Sequence, residues 1–146
     1  MTSLEFSSTP KVQNPTKVLL LERKMAGILV WLVFHGAQPR ARIAQTFWLD
    51  ATSGRNNLRQ ALFKLRDFDL FSHQEPLTLR SDLEIKTSSG LLLGMDFSDC
   101  PVFEEFLTIQ RALAEHQQLS SLERQIQVFL QNQNLTAALE ASQQWL

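Results

Sequence analysis

Residues Arg55–Arg66 read RNNLRQALFKLR, and the reading of this stretch decides the fold. Leu58, Ala61, Leu62 and Leu65 recur at roughly 3.6-residue spacing, so they form one buried stripe of a helix that runs to about Asp67. With that stripe turned inward, Arg55, Asn56, Arg59, Gln60, Phe63 and Lys64 face outward. Such a face suits the reading of base edges, since arginine forks onto guanine and asparagine or glutamine bonds bidentately to adenine. A solvated face on an ordinary three-helix core has the same pattern, so the flanking segments decide between the two.

Upstream, Asp50-Ala51-Thr52-Ser53-Gly54 breaks the periodicity and offers several N-caps. Before it, Pro39 opens a short helix with Ile43, Ala44, Phe47 and Trp48 on its inner side. A first helix starts at Glu22 and carries Met25, Ile28, Leu29, Leu32 and Val33, widened by Trp31 and Phe34. His35-Gly36 ends it, glycine being suited to the left-handed position after a helix. Val18–Leu21 is a short apolar run that adds one strand, and residues 1–17, with Pro10 and Pro15, read as a loosely held tail.

Downstream, the period changes from helical to alternating. Leu77-Thr78-Leu79-Arg80 and Leu83-Glu84-Ile85-Lys86 flank Ser81-Asp82, which predicts a β-hairpin. Thr87–Gly94 reads as a junction. Beyond it, residues 102–118, 120–132 and 135–146 each carry helical periodicity, with Asn132-Gln133-Asn134 as a connection, which predicts an antiparallel pair plus one further helix. Three helices followed by a hairpin predict a winged helix-turn-helix over residues 18–90. The chain as a whole is expected to be mostly α with a small β-hairpin, and residues 91–146 to be the truncated start of a helical domain, because the amphipathic pattern is unfinished at Trp145-Leu146.

Composition narrows the function classes. With 44% hydrophobic and 20% charged residues, the 146-residue chain has the balance of a folded globular protein. No apolar run approaches the roughly 18–20 residues of a membrane span, and no secretion signal is evident. The single cysteine, Cys100, excludes an internal disulfide, so a cytoplasmic setting is expected. His35, His73 and His116 fall in different predicted elements, and no HExxH, GxSxG or phosphate-binding glycine loop occurs. Asp96, Asp99, Glu104 and Glu105 lead into a helix, where carboxylates favour the N-terminal dipole. No enzyme, no catalytic residue, no metal and no cofactor is therefore expected. The net charge of −1 conceals a split: Lys11–Gly90 holds twelve Lys/Arg against seven Asp/Glu, and Leu91–Leu146 holds two against seven. The first half thus suits a polyanion.

From these features Arg55, Asn56, Arg59 and Gln60 are the candidates for base reading. Arg40, Arg42, Lys64, Arg66 and the hairpin residues Arg80 and Lys86 are the candidates for phosphate contact. The partner is expected to be double-stranded DNA, with no membrane involved. The competing reading is a non-catalytic protein-interaction module, because winged helices and helical repeats also dock proteins.

RNNLRQALFKLR resembles the third helix of the SARP-type (antibiotic-regulatory-type) bacterial transcriptional activators, at Asn57, Leu58, Arg59, Gln60, Ala61, Leu62, Leu65 and Arg66. ERKMAGILVWLVFHG and PRARIAQTFWLD are similar to that family's first two helices. LLLGMDFSDCPVFEEFLTIQRALAEH resembles the start of the bacterial transcriptional activator domain, and NLTAALEASQQWL a tetratricopeptide-type helix. The resemblance runs from about Val18 to Leu146. It implies a response-regulator-type winged helix that binds repeated promoter sites as a homodimer and recruits RNA polymerase to activate transcription. The family has an N-terminal β-sheet before its first helix, and residues 1–21 here predict at most a reduced or irregular one.

Overall fold

The computed structural model describes residues 1–87 and 90–144. By compactness the chain divides into Met1–Gln110 and Arg111–Leu146. The first unit is a mixed α/β body with two small sheets, and its elements follow the chain closely.

Strands β1 (Ser3–Phe6), β2 (Lys11–Gln13) and β3 (Val18–Leu20) open the chain. They join β6 (Glu84–Thr87) in one sheet of order β3-β2-β1-β6. Leu4, Phe6 and Val12 are fully buried beneath it. The tail expected over residues 1–17 is thus incorrect: Ser3-Leu4-Glu5-Phe6 alternates polar and apolar, and its apolar side closes the core.

Helix α1 (Arg23–His35) buries every residue from Met25 to Leu32. It stops at Gly36, whose φ of 75° and ψ of −154° lie in a region open to glycine. Helix α2 (Arg40–Phe47) buries Ile43, Ala44 and Phe47. Helix α3 (Ala51–Lys64) follows, then a single 3-10 turn over Arg66–Phe68. Strands β4 (Phe71–Gln74) and β5 (Leu77–Leu79) form a separate antiparallel ribbon around Glu75-Pro76. A bridge between Gln38 and Leu77 pins this ribbon to the segment ahead of α2.

The ribbon corrects the expected hairpin. Leu77–Leu79 pairs backward with Phe71–Gln74, while Glu84–Thr87 leaves to run parallel to β1, with Leu4 opposite Ile85. Alternation marks a strand but not its partner. Here the partner is set locally: Arg80 N–H donates to Leu70 O at 2.8 Å, which closes the ribbon before residue 81.

The last helix, α4 (Pro101–Gln144), is one element of 44 residues. The expected connections at 118–120 and 132–134 are absent, since no glycine or proline interrupts the chain after Pro101 and serine and asparagine alone do not break a helix. The core of the first unit also extends past Gly90, because Leu91, Leu92, Phe97, Cys100, Phe103 and Leu107 are all buried in it. Ser88 and Ser89 of the expected junction, and Trp145 and Leu146 at the chain end, lie outside the described residues.

Candidate nucleic-acid interface

Helix α3 begins where it does because Asp50 caps it. The Asp50 carboxylate accepts from the Thr52 N–H at 3.0 Å and from Ser53 Oγ at 3.1 Å. Gly54 then lets α3 approach α2 closely, as a Cβ there would stand 3.1 Å from Trp48 Cβ and 3.3 Å from the Ala44 carbonyl. Leu58 and Leu65 are buried, and Ala61 and Leu62 pack half-buried against the same core. This orientation leaves Arg55, Asn56, Arg59, Gln60, Phe63 and Lys64 exposed on the opposite side.

Among the described residues, no side-chain hydrogen bond or ion pair restrains Arg55, Asn56, Arg59 or Gln60. They do not form a single strip. Arg55 and Arg59 line a hollow with Arg40 and Glu75, whereas Gln60 lines another with Asn57, Lys64 and Arg23. Between α3 and the ribbon runs a groove walled by Arg40, Arg59, Phe63, Arg66, Phe71 and Gln74. The structure therefore brings three arginines from two helices to one side of α3. Glu75 lines the same hollow, and its Oε2 accepts from the Arg40 N–H at 3.4 Å.

The phosphate candidates divide further. Arg40 and Arg42 stand in the first turn of α2, Arg42 exposed and Arg40 half-exposed. Lys64 Nζ donates to Glu22 Oε1 at 2.9 Å, an exposed pair of little strength. Arg66 folds back, its Nη1 donating to the Phe63 carbonyl at 2.8 Å and its guanidinium lying 3.8 Å over the Phe63 ring. Arg80 is held between Asp69 and Asp82, with Nη1 donating to Asp69 Oδ2 at 3.0 Å and Nη2 to Asp82 Oδ2. Its guanidinium is thus tied to carboxylates at the end of the ribbon. Lys86 lies on β6 in the other sheet, in register with Glu5 of β1, so it does not belong to the ribbon. The exposed residues that the ribbon does present are Ser72, His73 and Gln74 on β4 and Glu75 and Pro76 at its turn. Phe71 and Leu77 bracketing Glu75-Pro76 carried their signal in the sequence, though without the Asn-Gly or Asp-Gly turn that usually announces a hairpin.

The segment before α4 is locked onto α1 through Arg23, which also borders the Gln60 hollow. Arg23 forks onto Asp99 at 2.6 and 2.7 Å and also donates to the Asp96 carbonyl at 3.0 Å. The Arg23 guanidinium holds the Asp99 carboxyl well below the usual carboxylate range, with Lys24 adding to the effect. Beside it Cys100 is buried, and desolvation pushes its thiol up, so the sulfur stays protonated and packs as a small apolar group. Phe97, Phe103 and Phe106 complete an aromatic cluster with Trp31 and Phe47. Among the described residues, no three His, Cys, Asp or Glu side chains gather as a metal site, and no helix is long and apolar enough to cross a membrane.

Comparison of the chain with protein-family models, with curated proteins and with solved structures returns no match.

Proposed function

We propose that this chain is a sequence-specific DNA-binding regulator of transcription, built as a winged helix that lays α3 in the major groove of duplex DNA. The observation that carries the reading is the outward face of α3: Arg55, Asn56, Arg59 and Gln60 are exposed and unrestrained on a helix whose other face is fixed in the core. Base-edge readers need that combination of a rigid backbone and free forked or amide side chains. Arg40, Arg42, Lys64 and Arg66 flank them and neutralise phosphates, while the β4–β5 ribbon serves as the wing. Activation through RNA polymerase, and binding as a homodimer to repeated sites, follow from the resemblance to the SARP-type activators.

Selection of duplexes from a random pool by the purified chain tests this. Enrichment of one motif is expected, with guanines or adenines opposite Arg59 and its neighbours. Retention of all sequences equally would leave only non-specific binding and reject the base-reading role. A protein-docking role for the chain draws on Leu122, Ile126 and Phe129 of α4, each about half exposed. Under that reading the pool yields no retained DNA.

A further inference from the structure

Phe63 is out of place on a polar face. It is 62% exposed at the C-terminal end of α3, one helical turn beyond Arg59, and its neighbours around the groove are Arg59, Arg66 and Arg40. Leaving a phenyl group in water forgoes the stabilisation that burial gives an aromatic side chain. The ring is nevertheless held in place: Arg66 covers the ring at 3.8 Å while bonding the Phe63 carbonyl, and most of the side chain stays exposed. The groove also holds Phe71 and one carboxylate, Asp69, which is already paired with Arg80. A fixed ring beside three arginines fits a partner that is anionic overall and offers a small apolar group.

The major groove of DNA has one such group, the C5-methyl of thymine, which projects toward the backbone side of the base pair. We infer that Phe63 reads a thymine methyl at the edge of the site, one turn of helix away from the bases read by Arg59 and Gln60. Arg66 acts as a positioning residue that holds the ring against the methyl and faces the adjoining phosphate. This rests on the DNA-binding reading above and adds a base preference to it.

Replacing thymine by deoxyuridine removes the methyl and leaves every hydrogen-bonding group intact. In the duplex selected by the full chain, each thymine is replaced by deoxyuridine in turn and the affinity measured. One replacement is expected to weaken binding about fourfold, the effect of one buried methyl. With Phe63→Ala the thymine and deoxyuridine duplexes are expected to bind alike, and Phe63→Leu is expected to restore part of the difference. If no deoxyuridine position changes wild-type affinity, or if Phe63→Ala keeps the full difference, the inference is overturned while the DNA reading stands. Failure to bind any duplex at low salt overturns the DNA reading itself. Should Phe63→Ala misfold, Phe63→Leu takes its place: a methyl effect smaller than the wild type's supports the inference, and an undiminished one overturns it. Selective retention of a protein partner through Phe63, with no methyl effect, overturns it as well.

Discussion

Gly27 shows how one missing side chain sets the packing of α1 against its aromatic neighbours. It lies inside α1, where alanine would ordinarily gain about 1 kcal/mol in helix propensity. A Cβ there would stand 2.8 Å from Phe47, 3.1 Å from Phe97 and 3.2 Å from Phe103, so overpacking opposes the gain. Overpacking of about 1–3 kcal/mol less that gain leaves Gly27→Ala up to about 2 kcal/mol less stable in a denaturant melt, and a raised midpoint would contradict the packing described. The arginines separate in the same way by what holds them. Arg59→Ala is expected to cost about 1–3 kcal/mol of DNA affinity and to relax preference at one base pair. Arg80→Ala is expected to leave the salt dependence of binding unchanged, because its guanidinium is already occupied by Asp69 and Asp82; gel shifts across a salt series compare the two. Asp99 gives a pH signature. Its folded-state pKa is depressed chiefly by Arg23, so its contribution is present above the ordinary value and is lost as pH falls from about 4 through the folded value. Both partners are more than a third exposed, which limits that contribution to about 1 kcal/mol or less. Asp99→Asn is expected to melt below the wild type at neutral pH and to converge with it in acid; a constant gap would assign the effect to packing.

Among the elements, the three helices of the first unit were the most legible in the sequence, and the strands the least. Met25, Ile28, Leu29 and Leu32 mark α1, and Leu58, Ala61, Leu62 and Leu65 mark the inner face of α3, because helix burial repeats within one local segment. Strand partners depend on residues far along the chain, so Ile85 gives no sign that it pairs with Leu4. The exposure of Arg55, Asn56, Arg59 and Gln60 was readable as the complement of the α3 stripe. Arg80 and Lys86 were expected on one hairpin because their strands were paired with each other, whereas β5 pairs with β4 and β6 with β1. The boundary at Gly90 failed for a related reason: charge changes there, but burial continues through Phe97, Phe103 and Leu107. A truncation test follows. Ending the chain at Gln110 is expected to preserve the cooperative unfolding of the first unit, whereas ending it at Gly90 removes the fully buried Phe97, Phe103 and Leu107 and costs several kcal/mol. Equal stability of the two truncations, by calorimetry, would show that α1 and α2 do not need these residues.

At the scale of the whole molecule, the charge split in the sequence turns into a matter of placement. Met1–Gln110 contains twelve Lys/Arg and twelve Asp/Glu, so the compact unit is neutral in total. Part of the acidic charge is consumed locally, with Asp99 on Arg23 and Lys24 and with Asp67 on Lys17 at 3.1 Å. The side chains left outward around α2 and α3 are Arg40, Arg42, Arg55, Arg59, Lys64 and Arg66, opposed chiefly by Glu22 and Glu75. On the DNA-binding reading proposed above, a unit that is neutral in total meets the polyanion through these outward cations. The most direct measurement is the affinity of the full chain for its selected duplex across a salt series. Four phosphate contacts, from Arg40, Arg42, Lys64 and Arg66, predict a log–log slope of about −4. Absence of binding at low salt, or an affinity indifferent to salt, would contradict the assignment of this face to DNA.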